Sequence, residues 1–470
     1  MLIEAFLLLF PLFVGIYYGE NTFLAYLIPI LGLFTIGFPF AKIKLNNKKI
    51  QAKEGFVIVS LAWIILSLVG AVPFVISGDI PHYVDAFFET VSGFTTTGAS
   101  ILLEVESMCK SNQFWRLFTH WIGGMGVLVF VLAVLPEDNS GIMHVFRAES
   151  PGPSVSKLVG KMKVTARILY GIYVVMTLIE IVFLLIGKMP LFDSVVHSFA
   201  TAGTGGFSIK NTSIGAYGDV YIEMVIAVFM LLFSVNFNLY YLILIGNVKK
   251  AFGSEELRWF LIIVVGATLS IAINLLSTGF TFFEALRYSF FQVSTITSTT
   301  GFSTIDFANS GIFPAFSQGI LVFLSIVGAM AGSTGGGIKV SRLILLIKSG
   351  FKDVKKMVYP RAVVSIKFEK EPVEREVERG VRTYFVFWVA LVIITTLLLC
   401  LDFSDILTNL TATIACIGNI GPGLGAVGPM GNFAFYSPYS KVLLSLIMLA
   451  GRLEIFPMLI LFAAETWRKA

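Results

Sequence analysis

Ten stretches of apolar side chains recur from one end of the chain to the other. They lie at 2–18, 23–40, 56–77, 122–135, 168–187, 221–247, 259–276, 318–331, 383–401 and 442–462. A helix needs roughly 20 apolar residues to cross the hydrocarbon of a bilayer. Backbone inside hydrocarbon must also satisfy its own N–H and C=O groups, which restricts such runs to helices. Most of the runs are long enough, and the shorter ones extend into Gly- and Ser-containing flanks. The reading is an all-α polytopic membrane protein with about ten spans. Composition agrees: 13% of the residues are charged and the mean hydropathy is +0.86, whereas soluble domains carry about 25% charge. The first run has no basic leader and no small-residue cleavage site, and a second run follows at once, so it reads as a span rather than a cleaved signal. Cys109, Cys400 and Cys416 have neither metal-ligand nor CxxC spacing and read as small apolar filler.

Basic residues give the orientation. Segments 42–54, 144–167, 247–258, 339–382 and 468–469 hold 27 of the 34 Lys and Arg residues, and the alternating segments 79–116, 188–219, 277–313 and 402–441 hold six. By the positive-inside rule the first set and both termini face the cytoplasm. The net charge of +5 is therefore topology. Basic residues scattered over short loops form no single face for nucleic acid, and no nucleic-acid partner is expected.

The segments on the other side share a texture: a moderately apolar stretch that turns rich in Thr, Ser and Gly and is too short to span. Aligned on one glycine, they read FFETVSGFTTTG at 87–98, FDSVVHSFATAG at 192–203, FFQVSTITSTTG at 290–301 and LTATIACIGNIG at 410–421. An apolar residue stands eleven positions before Gly98, Gly203, Gly301 and Gly421, and the glycines are 105, 98 and 120 residues apart. Each segment is flanked by a span before and a span after. Four copies of span, re-entrant segment and span form an internal repeat. The chain divides into two leading helices with a cytoplasmic loop (1–54), then repeats at 55–143, 144–248, 249–350 and, with a cytoplasmic loop, 351–470.

Non-helical backbone at membrane depth persists only where protein buries it or it lines a watery cavity. A half-helix that stops at Thr, Ser and Gly presents its partly negative C-terminal end to a cation. Extended backbone beyond it offers carbonyl oxygens that replace an ion's hydration shell. Small residues also allow tight helix packing, which is the plainer reading of any one segment; four in register on one side point to a pseudo-symmetric pore.

These residues resemble the Trk/Ktr/HKT superfamily of potassium transporters, and within it the Trk-type pore-forming membrane subunit. The motifs that carry the resemblance are TTTGA at Thr95–Ala99, ATAGTGGFS at Ala200–Ser208, TSTTGFST at Thr297–Thr304, GNIGPGLG at Gly418–Gly425, AGSTGGGIKVSR at Ala331–Arg342 and GRLEIFPMLILF at Gly451–Phe462. The resemblance covers essentially the whole chain, and the two spans before the first repeat favour the Trk branch. It implies potassium (K+) as the transported ion, with no bound cofactor, in the cytoplasmic (inner) membrane. The implied selectivity filter consists of Thr96, Thr97 and Gly98; Thr201, Ala202 and Gly203; Thr299, Thr300 and Gly301; and Asn419, Ile420 and Gly421. Glycine at all four positions goes with potassium preference in the family, and serine at the first with sodium. The fourth repeat departs from the others in having Pro422 after its glycine and no Thr before it. The resemblance further implies a homodimer that docks a cytosolic, nucleotide-binding (NAD/ATP) regulatory ring of the TrkA type on the basic stretch 339–382.

Five glycines between Gly328 and Gly337, followed by Lys339, predict a break in that span, since each glycine weakens helix by up to about 1 kcal/mol relative to Ala. The break reads either as a kink or, by resemblance, as an intramembrane loop beneath the filter. Gly332, Gly335, Gly336, Gly337 and Lys339 then belong to a gate, together with Arg452. An intramembrane arginine is a functional candidate by default. Two residues apart on one helix do not share a face, so Glu454 is a poor partner for it. Other signals carry less. The GxGxxG at 423–428 follows no strand, the glycine run at 332–337 is off register for a phosphate loop, and four scattered histidines form no catalytic or metal cluster. An enzyme is not expected. The rival class is an ion-coupled carrier with alternating access, which favours inverted repeats and midplane acids; here the repeats run in one orientation and Glu180 is the one acid that stands out in mid-span. A purely structural scaffold would carry no flux.

Overall fold

The computed structural model describes residues 1–42, 52–126, 162–362, 364–403 and 405–467. The expectations for the run 122–135 beyond Gly126, and for most of the basic stretches 42–54, 144–167 and 468–469, lie outside the described residues.

The chain is an all-α polytopic membrane protein; its only strands among the described residues are a two-residue hairpin, Lys367–Phe368 against Glu371–Pro372. Two leading segments, Leu2–Leu7 with Leu9–Tyr18 and then Phe23–Lys42, precede four successive units. Each unit has a long helix, a short helix and a second helix. The long ones are Ala52–Gly70 continued by Val72–Ser77, Met162–Ile186, Glu255–Leu276 and Arg375–Leu399. The short ones are Tyr83–Phe94, Leu191–Gly203, Phe282–Thr297 and Ile406–Gly418. The second helices start at Lys110, Val220, Ala315 and Pro438.

Burial runs opposite to that of a water-soluble domain. Leu24 on the leading Phe23–Lys42, and Ile273 and Leu397 on long helices, are 61%, 70% and 61% exposed, while Thr90, Ser92, Thr95, Thr97, Ser294 and Thr413 on or next to the short helices are buried. Large apolar side chains face outward along lengths that match hydrocarbon, and hydroxyls line the interior.

Among the described residues five helices are long and apolar enough to cross a bilayer, and Leu2–Tyr18, Ala315–Ile326 and Ile406–Gly418 are apolar but shorter. The run 221–247 reads as one span, but Val220–Phe233 and Phe237–Leu244 meet at 89°. Asn236 starts the second piece by accepting a hydrogen bond from Asn238 N–H (2.9 Å), as a capping side chain does. The last run breaks at 453–455, where Glu454 and Ile455 take positive φ (59° and 65°). The break predicted from the glycines is present: Ala315–Ile326 ends, 327–339 is non-helical, and Val340–Val358 begins anew.

Candidate functional site

The four short helices end identically in their backbone. Thr96, Thr204, Thr299 and Asn419 all have left-handed φ (55°, 55°, 60° and 54°). Their N–H groups donate three residues back, to Gly93, Thr201, Ile296 and Cys416 carbonyls at 3.1, 2.9, 3.0 and 3.3 Å. The next N–H donates five residues back: Thr97 to Ser92, Gly205 to Ala200, Thr300 to Thr295 and Ile420 to Ala415, at 2.9, 2.8, 2.9 and 2.9 Å. This pair of bonds is the Schellman motif, which closes a helix by placing one residue in the left-handed region. Glycine is the usual occupant. Here threonine or asparagine holds it, at a cost of order 1–3 kcal/mol each that the surrounding structure must offset.

One residue further, Gly98, Gly206, Gly301 and Gly421 also have positive φ (78°, 74°, 91° and 94°). A Cβ on Gly98 would lie 2.0 Å from the Gly205 carbonyl oxygen, one on Gly206 2.0 Å from that of Thr300, one on Gly301 2.0 Å from that of Ile420, and one on Gly421 2.8 Å from that of Thr97. Each loop thus abuts the carbonyl just before the glycine of the next, and the fourth returns to the first. The four segments form a closed ring. Only glycine permits both the torsion and the approach.

This geometry corrects the register in the second repeat. Gly203 is the last residue of its helix, and its missing Cβ faces the His120 carbonyl at 2.2 Å, so it serves close packing of that helix on Lys110–Gly124. Thr201 and Ala202 are helical as well. The ring positions are Thr204, Gly205 and Gly206. The other nine residues, Thr96, Thr97, Gly98, Thr299, Thr300, Gly301, Asn419, Ile420 and Gly421, come together at the ring. Asn419 stands where the other repeats have Thr, and its amide donates to Thr97 Oγ1 and to the Met448 carbonyl, both at 3.0 Å.

The glycine-rich loop packs against the helix ends of repeats three and four. Gly336 N–H donates to Thr299 Oγ1 at 2.6 Å, and a Cβ on Gly336 would lie 2.4 Å from the Gly418 carbonyl oxygen. Lys339, buried, donates to the Gly335 and Gly336 carbonyls. Gly332 accepts from Phe237 N–H at 3.0 Å. Arg452 crosses the interior: Nη1 donates to the Thr334 carbonyl (2.8 Å), and Nη2 to the Gly123 and Gly124 carbonyls (2.5 and 2.8 Å). Glu454 instead pairs with Arg342, in keeping with the spacing argument. Glu256 Oε1 accepts from Ala331 N–H and Ser341 N–H (2.8 and 3.0 Å), bracketing the loop at both ends.

Sequence reasoning missed several buried groups. Glu180 is fully buried, but so are Glu4 and Glu89, and Glu223 and Glu256 nearly so; it is not the one interior acid. Glu89 pairs with Arg116 at 2.5 Å. His197 bonds the Asp193 carbonyl and Ser208 Oγ (2.8 and 2.9 Å), a structural role. Among the described residues no group of three or more His, Cys, Asp or Glu side chains is arranged to hold a metal ion.

The family model described as "Cation transport protein", TrkH, matches residues 28–469. The Trk system potassium uptake protein TrkH of Salmonella typhimurium is 37% identical over 430 residues, 90% of this chain and 87% of that protein. The Trk system potassium uptake protein TrkG of Escherichia coli is 32% identical over 97% of this chain and 94% of its own length. The crystal structure of the potassium transporter TrkH from Vibrio parahaemolyticus superposes with a TM-score of 0.88 at 32% identity, covering 99% of this chain and 97% of that one. The chain belongs to the TrkH family of cation transport proteins, which move ions and are not enzymes.

Proposed function

We propose that the chain mediates potassium uptake across the cytoplasmic membrane, through a gated pore whose filter is the ring of main-chain oxygens around Gly98, Gly206, Gly301 and Gly421. The observation that carries this reading is the closed cycle of glycine–carbonyl contacts between the four repeats. Carbonyl dipoles held at fixed separation replace hydration water around an alkali ion. Four short helices ending at the ring add their partly negative C-termini. The names of the relatives, Trk system potassium uptake proteins, support potassium as the cargo.

On this reading the loop from Gly328 to Lys339, held by Arg452 and Lys339, is the gate. A homodimer, with both termini cytoplasmic, would carry a nucleotide-binding ring on the basic stretch 339–382. Four units in one orientation favour a channel over an alternating-access carrier. Single-channel recording tests this: discrete openings are expected, and slow saturable proton-coupled flux would replace the pore with a carrier.

The first specific test is Gly98→Ser. The new side chain would begin 2.0 Å from the Gly205 oxygen at a φ of 78°, deforming one quarter of the ring. Preference for potassium over sodium in proteoliposome flux is expected to fall about tenfold, which corresponds to about 1.4 kcal/mol. An unchanged ratio at normal flux would place selectivity elsewhere.

The second concerns Glu256. Glu256→Gln keeps an acceptor but removes the charge from two hydrogen bonds, and charge-assisted bonds are roughly twice as strong as neutral ones. Basal flux should rise a few-fold as the loop loosens, read as rubidium uptake into proteoliposomes without any cytosolic partner. Flux equal to that of the parent would show that the staple does not restrain the loop.

A further inference from the structure

Behind the ring, Glu89 and Arg116 form an ion pair with both side chains shielded (0% and 3% exposed), Arg116 Nε donating to Glu89 Oε1 at 2.5 Å. Its other hydrogen bonds reach two loops. Glu89 Oε1 also accepts from Ser100 Oγ (2.9 Å), and Oε2 accepts from Ile101 N–H (3.0 Å); these residues directly follow Gly98 and Ala99. Arg116 Nη1 donates to the Ser208 carbonyl (2.9 Å), and its guanidinium lies 3.5 Å from the centre of the Phe207 ring; these residues directly follow Gly206. One turn along the same helix, His120 Nε2 accepts from Phe207 N–H (3.3 Å) while Nδ1 donates to the Gly93 carbonyl (2.8 Å). One neutral tautomer serves both bonds.

We propose that Glu89 and Arg116 are a positioning pair: they lock the limbs after Gly98 and Gly206 in register and thereby set how sharply the ring separates potassium from sodium. The proposal rests on reading the ring as the ion path. The ion does not touch either side chain. A carboxylate and a guanidinium this deep cost several kcal/mol each to desolvate, and apolar replacements often serve stability as well or better. The pair's specific contribution is therefore sought in geometry: a planar fork whose donors point in fixed directions and an acceptor with two oxygens, one committed to main-chain N–H. The pair joins two repeats whose ring glycines are adjacent, so a change in its span alters the separation of their carbonyls, and discrimination between ions of different radius follows that separation.

The experiment measures rubidium and sodium uptake into proteoliposomes, normalised to monodisperse protein, for the parent, Arg116→Lys, and the uncharged double variant Glu89→Gln/Arg116→Met. Lysine keeps the charge but is a point donor that cannot fork to Glu89 and Ser208 together. The double variant removes both charges, so no unpaired ion is left to unfold the protein. Expected is rubidium uptake within about threefold of the parent in both, with the rubidium-to-sodium ratio lowered about tenfold, the size of effect that loss of one charge-assisted bond can produce. A ratio within twofold of the parent in the folded double variant would overturn the proposal. Loss of monodisperse protein in both variants would overturn it too, assigning the pair to folding alone. A parent that shows no ion discrimination would instead remove the underlying reading of the ring.

Discussion

Gly206→Ala is expected to lower rubidium uptake at least about tenfold while leaving the protein folded and in the membrane. The added methyl meets two separate penalties. At a φ of 74° an L side chain costs about 1–2 kcal/mol. It would also start 2.0 Å from the Thr300 carbonyl oxygen and 3.0 Å from the Gly301 carbon, main-chain atoms that cannot swing away. Gly78→Ala separates the two: its φ is 86°, but nothing lies within 4 Å of the position a Cβ would take. It pays the torsional cost alone and should transport normally. Equal loss in both variants would mean that strain, and not the approach of one repeat to the next, explains the defect. Full activity in Gly206→Ala would remove Gly206 from the ion path.

Arg452→Ala should raise cation flux about tenfold in protein reconstituted without any cytosolic partner. The guanidinium is bonded to three main-chain carbonyls, those of Thr334, Gly123 and Gly124. It thus fastens the glycine-rich loop of the third repeat to the second helix of the first. Hydrogen bonds to charged groups contribute about 1.5–3 kcal/mol, so loss of the Thr334 contact alone is large enough for a tenfold shift between closed and open loop. On the proposed reading of the ring as the ion path, the same change also removes a positive charge from the interior, which lowers the barrier to a passing cation. Both effects have one sign. Unchanged or reduced flux at normal expression would contradict the role. Arg452→Lys should fall between, since one ammonium cannot reach three carbonyls on two segments.

What the sequence made legible follows from which constraints are local. Apolar runs announce a membrane chain because bilayer thickness fixes their length, and the glycine cluster at 328–337 announces a break because propensity is additive along a window. The ring was legible in three repeats and misregistered by three residues in the second. Thr201-Ala202-Gly203 and Thr204-Gly205-Gly206 both fit threonine, any residue, glycine, and Phe192 and Val195 both supply the apolar residue eleven positions earlier. The signal that separates them lies after the glycine: Gly206-Phe207-Ser208 matches Gly301-Phe302-Ser303. The span at 221–247 hid its bend because Ser234, Asn236 and Asn238 are scattered among apolar residues that continue on both sides. The pairs Glu89–Arg116 and Arg342–Glu454 were not legible at all, being 27 and 112 residues apart and joined only by tertiary packing.

The closed cycle of loop contacts behaves like a masonry arch bent into a full circle. Every voussoir leans on its neighbour, and no single one can slide inward without displacing the other three. The circle's dimensions are then a collective property: crowding at any one glycine is passed around the circuit, and, if the circle is the ion path proposed above, even a lesion confined to the fourth segment, whose asparagine already breaks the symmetry, is felt by an ion at all four sides.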